Sequence, residues 1–217
     1  MGYSLVNVLG VLLIVTSSLV VLSKTVGHAI MWYAGQSLIL VGVLVSLGIT
    51  TGATELLTWG ASAFVTKVLL VPAIIWTAYK KMGQPDVSGL KSAVSAPWFV
   101  VIVIAEVVLS FAVVSNVELP TAADALPALA ISFAHFFVGL TCIVTQRNIL
   151  KQVFGYCLME NGSHVTLALL APTAPEIVEI GIATDAFFAV IIMSIVVMRI
   201  WRDAHTLDSH DLTDLRG

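Results

Sequence analysis

Seven stretches of this 217-residue chain are apolar for about twenty residues each, at 3–23, 27–50, 56–79, 97–117, 126–146, 149–171 and 177–201. That length matches the hydrocarbon of a bilayer, where every backbone N–H and C=O must be bonded inside a helix or a closed barrel. None of the stretches alternates as a barrel strand does. The expected fold class is therefore all-α: a polytopic integral membrane protein with about seven transmembrane helices in a single domain, 1–202, and a polar tail, 203–217. Composition agrees, since 59% of the residues are hydrophobic and 11% charged, and the mean hydropathy is +1.02. No basic residue precedes 3–23 and no small-x-small site ends it, so it reads as an uncleaved first helix. Cys142 and Cys157 fall inside apolar segments, which points away from a disulfide framework or an iron–sulfur cluster in this chain.

Short connections such as "SKTVGHA" and "TGATE" imply adjacent antiparallel helices, whereas "KKMGQPDVSGLKSAVSA" has the Pro/Gly/Ser punctuation of a linker. With the N-terminus outside, Lys24, Lys80, Lys81, Lys91, Arg147, Lys151, Arg199, Arg202 and Arg216 all fall on the cytoplasmic side. The outer loops carry Glu55, Glu118, Asp124, Glu176 and, at the margin, Glu179. The tail is expected to lie along a partner at the cytoplasmic face. Lys24 and Tyr33 are nine residues apart, as are Arg147 and Tyr156, an echo that suggests half-repeats 1–79 and 126–202 around one extra helix.

The charges within the apolar segments carry the functional signal. Lys67, Glu106, His135 and Glu160 lie near the centres of the third to sixth segments and share one level. His164 and Asp185 are expected about four residues further outward, roughly 6 Å away, at a second level. A central Asp or Lys costs roughly 2.5–3.5 kcal/mol on insertion, so such residues persist facing protein or water. In "VFGYCLMENGSHVTLALL", Glu160 and His164 are four apart on one helix face, within reach of each other or of one bridging water; Asp185 extends that series. Lys67 and Glu106 offer opposite signs at one depth and could pair. Two readings follow: buried pairs that fix packing, or a proton relay through titratable groups. Gly155 and Gly162 flank Glu160, and Gly162 suits close packing against a neighbour, or else a loosened helix that admits water.

Other chemistries are poorly served. The only central lysine is in the third segment, not the last where a retinal Schiff base belongs, and His135, His164 and Cys157 lack compact metal-ligand spacing. No phosphate-cradling glycine pattern and no basic surface for nucleic acid is present.

The stretch "GLTCIVTQRNILKQVFGYCLMENGS" is similar to the second-helix region of the three-helix K-type subunit of respiratory complex I, and "DLTDLRG" to that subunit's ending. Across nearly the whole chain, above all in "WGASAFVTKVLLVP", "CIVTQRNILKQVFGYCLMENGS" and "VEIGIATDAFFAV", the sequence resembles the E-type membrane components of hydrogenase-4, energy-conserving relatives of complex I of the formate hydrogenlyase kind. The resemblance implies a non-catalytic membrane-arm subunit in a bacterial cytoplasmic (inner) membrane. No cofactor is expected in this chain. The nickel–iron centre and iron–sulfur clusters would sit in partner subunits, beside antiporter-like and junction membrane subunits, with formate dehydrogenase as a further partner the resemblance admits. K-type acids of the second and third helices form part of a proton-carrying axis, and their positions fall near Glu160 and Asp185, Glu160 lying one turn beyond the ungapped match at Cys157. The expected proton pathway is Lys67, Glu106, His135, Glu160, His164 and Asp185. The alternatives are a scaffold that docks antiporter-like subunits, or a subunit of a multi-subunit cation/proton antiporter.

Overall fold

The structure, a computed structural model, describes residues 2–90, 92–116 and 125–214. Lys91, Glu118, Asp124 and Arg216, four of the charges that set the expected orientation, lie outside the described residues. The described residues form seven long helices: α1 (Gly2–Leu22), α2 (Val26–Thr51), α3 (Glu55–Lys81), α4 (Ala96–Val114), α5 (Leu126–Thr145), α6 (Ile149–Leu170) and α7 (Glu176–Ala204). The chain is an all-α, multi-pass membrane protein. Six helices are long and apolar enough to cross a membrane; α6 is long enough but less apolar, because it carries Lys151, Gln152, Glu160, Asn161, Ser163 and His164. Its polar side chains are tolerated because α5, α2, α7 and α1 pack around it.

Local chemistry sets the helix boundaries. Thr25 and Asn148, each following the basic residue of the echoed pair, cap α2 and α6 by accepting from the backbone N–H of His28 and Leu150. Gly52, at φ 74°, ends α2 in the left-handed conformation that its lack of a Cβ permits. Proline enters the first turns of α4 and α5, where its missing N–H is no loss.

In the middle of α3, residues Phe64–Leu70 are π-helical. Pro72 cannot return an N–H to the turn before it and its ring crowds that turn's carbonyl, so the ladder widens; the Val71 N–H bonds Thr66 O, five residues back. Lys67 sits within this widened turn.

The α5–α6 pair makes the closest approach in the bundle. A Cβ at Gly139 would fall on the backbone of Met159, one at Gly155 on Ile143, and one at Gly162 on Phe136. Small residues let the two backbones meet, and α6 runs unbroken through Gly155 and Gly162, so Gly162 serves packing rather than loosening. α4 is peripheral and packs mainly on α5.

One end of the bundle gathers the basic connections. Gln146 Nε2 and Lys151 Nζ donate to Val21 O, and Ala93 N–H and Ser92 Oγ donate to Thr145 O. Lys81, Arg199 and Arg202 line a common cavity there. The start of the tail is anchored on this chain itself. α7 continues to Ala204, and residues 205–209 fold back onto this chain's own α5–α6 turn: Ile149 N–H donates to Leu207 O, Ser209 N–H to Arg147 O, and Leu207 is 3% exposed in the core. The one apolar side chain of this polar segment, Leu207, is thereby taken out of water.

Candidate functional site

At the level of the π-helical turn, Lys67 points into the bundle and is 1% exposed. Its Nζ donates to Glu160 Oε1 at 2.7 Å, Glu160 Oε2 at 2.6 Å and Asn161 Oδ1 at 2.9 Å. Asn161 Nδ2 then donates to Gln36 Oε1 at 2.9 Å, and Gln36 Nε2 lies 3.2 Å from His135 Nε2. Five side chains from α2, α3, α5 and α6 thus form one buried line.

The line has a direction, and the lysine sets it. An ammonium only donates, so Asn161 must present its oxygen to Lys67 and its amide nitrogen to Gln36. Gln36 in turn presents its oxygen to Asn161 and its nitrogen to His135, whose Nε2 accepts. In a neutral imidazole this leaves the ring proton on Nδ1. Asn161 and Gln36 carry no charge and hand on no proton by themselves; they fix the orientation of the two titratable ends.

A second buried contact lies toward the opposite end from the basic connections. His164 Nε2 and Glu179 Oε2 approach to 2.8 Å, an ion-pair distance without hydrogen-bond alignment, and are 0% and 4% exposed. The Trp59 ring covers His164, with centroids 5.6 Å apart. Glu179, expected at the margin of an outer loop, is buried inside α7.

The six expected pathway residues are therefore partly gathered and partly dispersed. Lys67, Glu160 and His135 belong to one line. Lys67 pairs with Glu160 and not with Glu106, whose Oε1 instead accepts from Thr141 Oγ1 at the α4–α5 contact. Glu160 and His164 share a helix but part company, one going to α3 and the other to Glu179 on α7. Asp185 is exposed on α7 and makes no hydrogen bond or ion pair with the described residues.

The two-level expectation also changes. With the His164–Glu179 approach as the register between antiparallel α6 and α7, Asp185 lies level with Leu158, between Tyr156 and Glu160, not with His164. Asp185 thus stands six residues, roughly 9 Å along the helix, from the His164 level expected of it. Gln36, Asn161, Glu179 and Trp59 were not among the expected site residues. The signal for Gln36 was a lone amide in the apolar run "MWYAGQSLILV". Among the described residues no group of three His, Cys, Asp or Glu side chains could hold a metal ion, and Cys142 and Cys157 are free and buried.

Comparison with known proteins bears on the whole chain. Hydrogenase-4 component E of Escherichia coli (strain K12) is 49% identical over 217 residues, covering 100% of this chain and 99% of that relative. The chain belongs to the hydrogenase-4 component E family. The protein of that name from Shigella flexneri is equally similar, and an uncharacterized protein of Mycobacterium tuberculosis is 25% identical over 209 residues, 94% of this chain and 92% of its own length. The family described as NADH-ubiquinone/plastoquinone oxidoreductase chain 4L matches residues 127–217. No solved structure matches. The matched C-terminal region supplies His135, Glu160, Asn161, His164 and Glu179, whereas Lys67, Gln36 and Trp59 come from helices outside it. In this hydrogenase-4 component E homologue, the cation that answers the buried glutamate is thus contributed by the N-terminal helices.

Proposed function

We propose that the chain is a non-catalytic membrane-arm subunit of a hydrogenase-4-type complex and that its Lys67–Glu160 pair takes part in moving protons across the membrane as partner subunits evolve hydrogen. The observation that carries this reading is the three-oxygen cradle around Lys67 Nζ, set on a π-helical turn in mid-bundle. π-Helical turns recur at functional sites, and packing alone would be met by amides without burying two charges. The ammonium proton lies within hydrogen-bond distance of a carboxylate that is 14% exposed, so Glu160 can exchange protons outward while Lys67 holds the inner position. Asn161 and Gln36 transmit the charge state of the pair to His135 through the oriented line. His164 and Glu179 form a second titratable pair nearer the far end.

In this reading the nickel–iron centre and iron–sulfur clusters belong to partner subunits, and antiporter-like membrane subunits flank the chain. The membrane is the bacterial inner membrane, with the basic end of the bundle cytoplasmic, as the clustering of Lys24, Lys81, Arg147, Lys151, Arg199 and Arg202 supports.

The test is Glu160→Gln in the intact complex, assayed in inverted membrane vesicles. Hydrogen evolution and assembly persist while proton uptake per hydrogen falls. Loss of assembly with an unchanged proton-to-hydrogen ratio in the residual complex would leave this chain a scaffold.

A further inference from the structure

α7 turns one stripe outward, with Ile177, Ile180, Phe188, Ile192 and Ile195 all exposed, and the exposed Asp185 lies midway along it at the edge marked by Ile192. Alongside, α6 presents Tyr156, Glu160 and Ser163 at helical spacing. Tyr156 is half-buried, Glu160 is 14% exposed, and the exposed Ser163 hydroxyl donates only to its own helix at Met159 O. Tyr156 is within electrostatic range of both Asp185 and Glu160. Toward the basic end the same two helices border an apolar groove of about 380 Å³, lined by Ile149, Tyr156, Ile192 and Met193 among others.

Lipid tails offer Asp185 neither a hydrogen bond nor a counter-charge, so this face is incomplete in the single chain. No described basic residue of the chain is placed to complete it. Lys67 is buried and already held by Glu160 and Asn161, and the other described lysines and arginines lie at the basic end. A second copy of this chain, docked through the same face, would set Asp185 against Asp185.

We infer that the α6–α7 face is a docking surface for a transmembrane helix of a different subunit, which lies in the groove and presents a Lys, Arg or His cation to Asp185. The inference rests on the chain being one subunit of a membrane complex, and not on the proton line. The apolar stripe supplies contact area, and the Asp185 carboxylate sets which helix fits and at what depth.

The experiment places a photoreactive benzoylphenylalanine at Phe188 or Ile192 in the assembled complex in its native membrane, with crosslinked peptides read by mass spectrometry. The expected result is a single membrane subunit, crosslinked within one helical turn of a Lys, Arg or His in its transmembrane segment. In parallel, Asp185→Lys lowers recovery of that subunit with the chain by more than about tenfold, and Asp185→Asn by less. Crosslinks to lipid alone, to a second copy of this chain, or to a segment without such a cation overturn the inference, as does undiminished recovery of Asp185→Lys. If hydrogenase subunits still copurify in those cases, membership of the complex stands and only the docking surface falls. If they never copurify with the unaltered chain, both fall.

Discussion

A double-mutant cycle across Lys67 and Glu160 tests the core of the site. Glu160→Gln keeps the shape and one acceptor oxygen but removes the counter-charge from a lysine that is 1% exposed. Breaking a buried pair by removing one partner costs about 3–5 kcal/mol. Glu160 is 14% exposed and Asn161 Oδ1 still accepts from Nζ at 2.9 Å, which places the loss at the lower end, about 3 kcal/mol. Lys67→Met preserves the apolar stem and strands the carboxylate, with a loss of similar size. The double variant removes both charges together, so it loses far less than the sum and the coupling is about 3 kcal/mol. The assay is thermal unfolding of the full chain in detergent micelles, followed by tryptophan fluorescence. Each single variant lowers the midpoint by roughly 6–12 °C, at 2–4 °C per kcal/mol for a chain of this size. Additive losses, or single-variant shifts below about 2 °C, would show that the pair is solvated and that the line is not a buried structural unit.

Further measurements address the surroundings. Gly162→Ala drives a methyl into the Phe136 backbone and lowers the unfolding midpoint, by the roughly 1–3 kcal/mol typical of overpacking; an unchanged midpoint would mean that α5 and α6 separate easily. Gln36→Leu leaves Asn161 Nδ2 and His135 Nε2 without partners, at about 1–3 kcal/mol for each, and nitrogen NMR of neutral His135 in the unaltered chain finds the proton on Nδ1. Leu207→Ala empties a buried site beneath the α5–α6 turn and speeds hydrogen exchange at Ile149, whose N–H bonds Leu207 O. In the loop after α3, the Ser88 N–H donates to Asp86 Oδ1 and holds that carboxyl below its ordinary range. A group depressed in this way stabilises its turn above its unfolded value, and the contribution is lost as pH falls through the lower folded value. Protection of the Ser88 amide is therefore constant at neutral pH and fades only below about pH 4.

Much of the architecture was legible because bilayer physics leaves so few solutions. Seven apolar stretches of the right length become helices whose observed ends, such as Val26–Thr51 and Leu126–Thr145, fall close to the 27–50 and 126–146 read from apolar length. The gathering of Lys24, Arg147 and Lys151 at one end, and the burial of Lys67 and Glu160, follow from the same rule, since charges are admitted to the hydrocarbon only where other protein receives them. Close packing at Gly162 was legible too, a glycine beside an intramembrane acid being a natural point of contact.

Pairing was another matter, because hydropathy places a residue along a helix axis but says nothing of its neighbours around that axis. Lys67 faced two acids at one apparent depth, Glu106 and Glu160. The choice fell to Glu160 because α3 packs where α6 can reach it, whereas α4 sits at the rim, packed mainly on α5, where Thr141 meets Glu106. The same rotational uncertainty hid Glu179 in the core, and let Asp185 be counted as an inward residue when its side of α7 faces out. The sequence alone determined that charges would be buried in a helical membrane protein, since composition and segment length decide what lipid can accept. Which charge answers which was decided only by tertiary packing, because helix rotation and register arise from contacts between residues dozens of positions apart, such as Lys67 with Glu160 and Gln36 with His135.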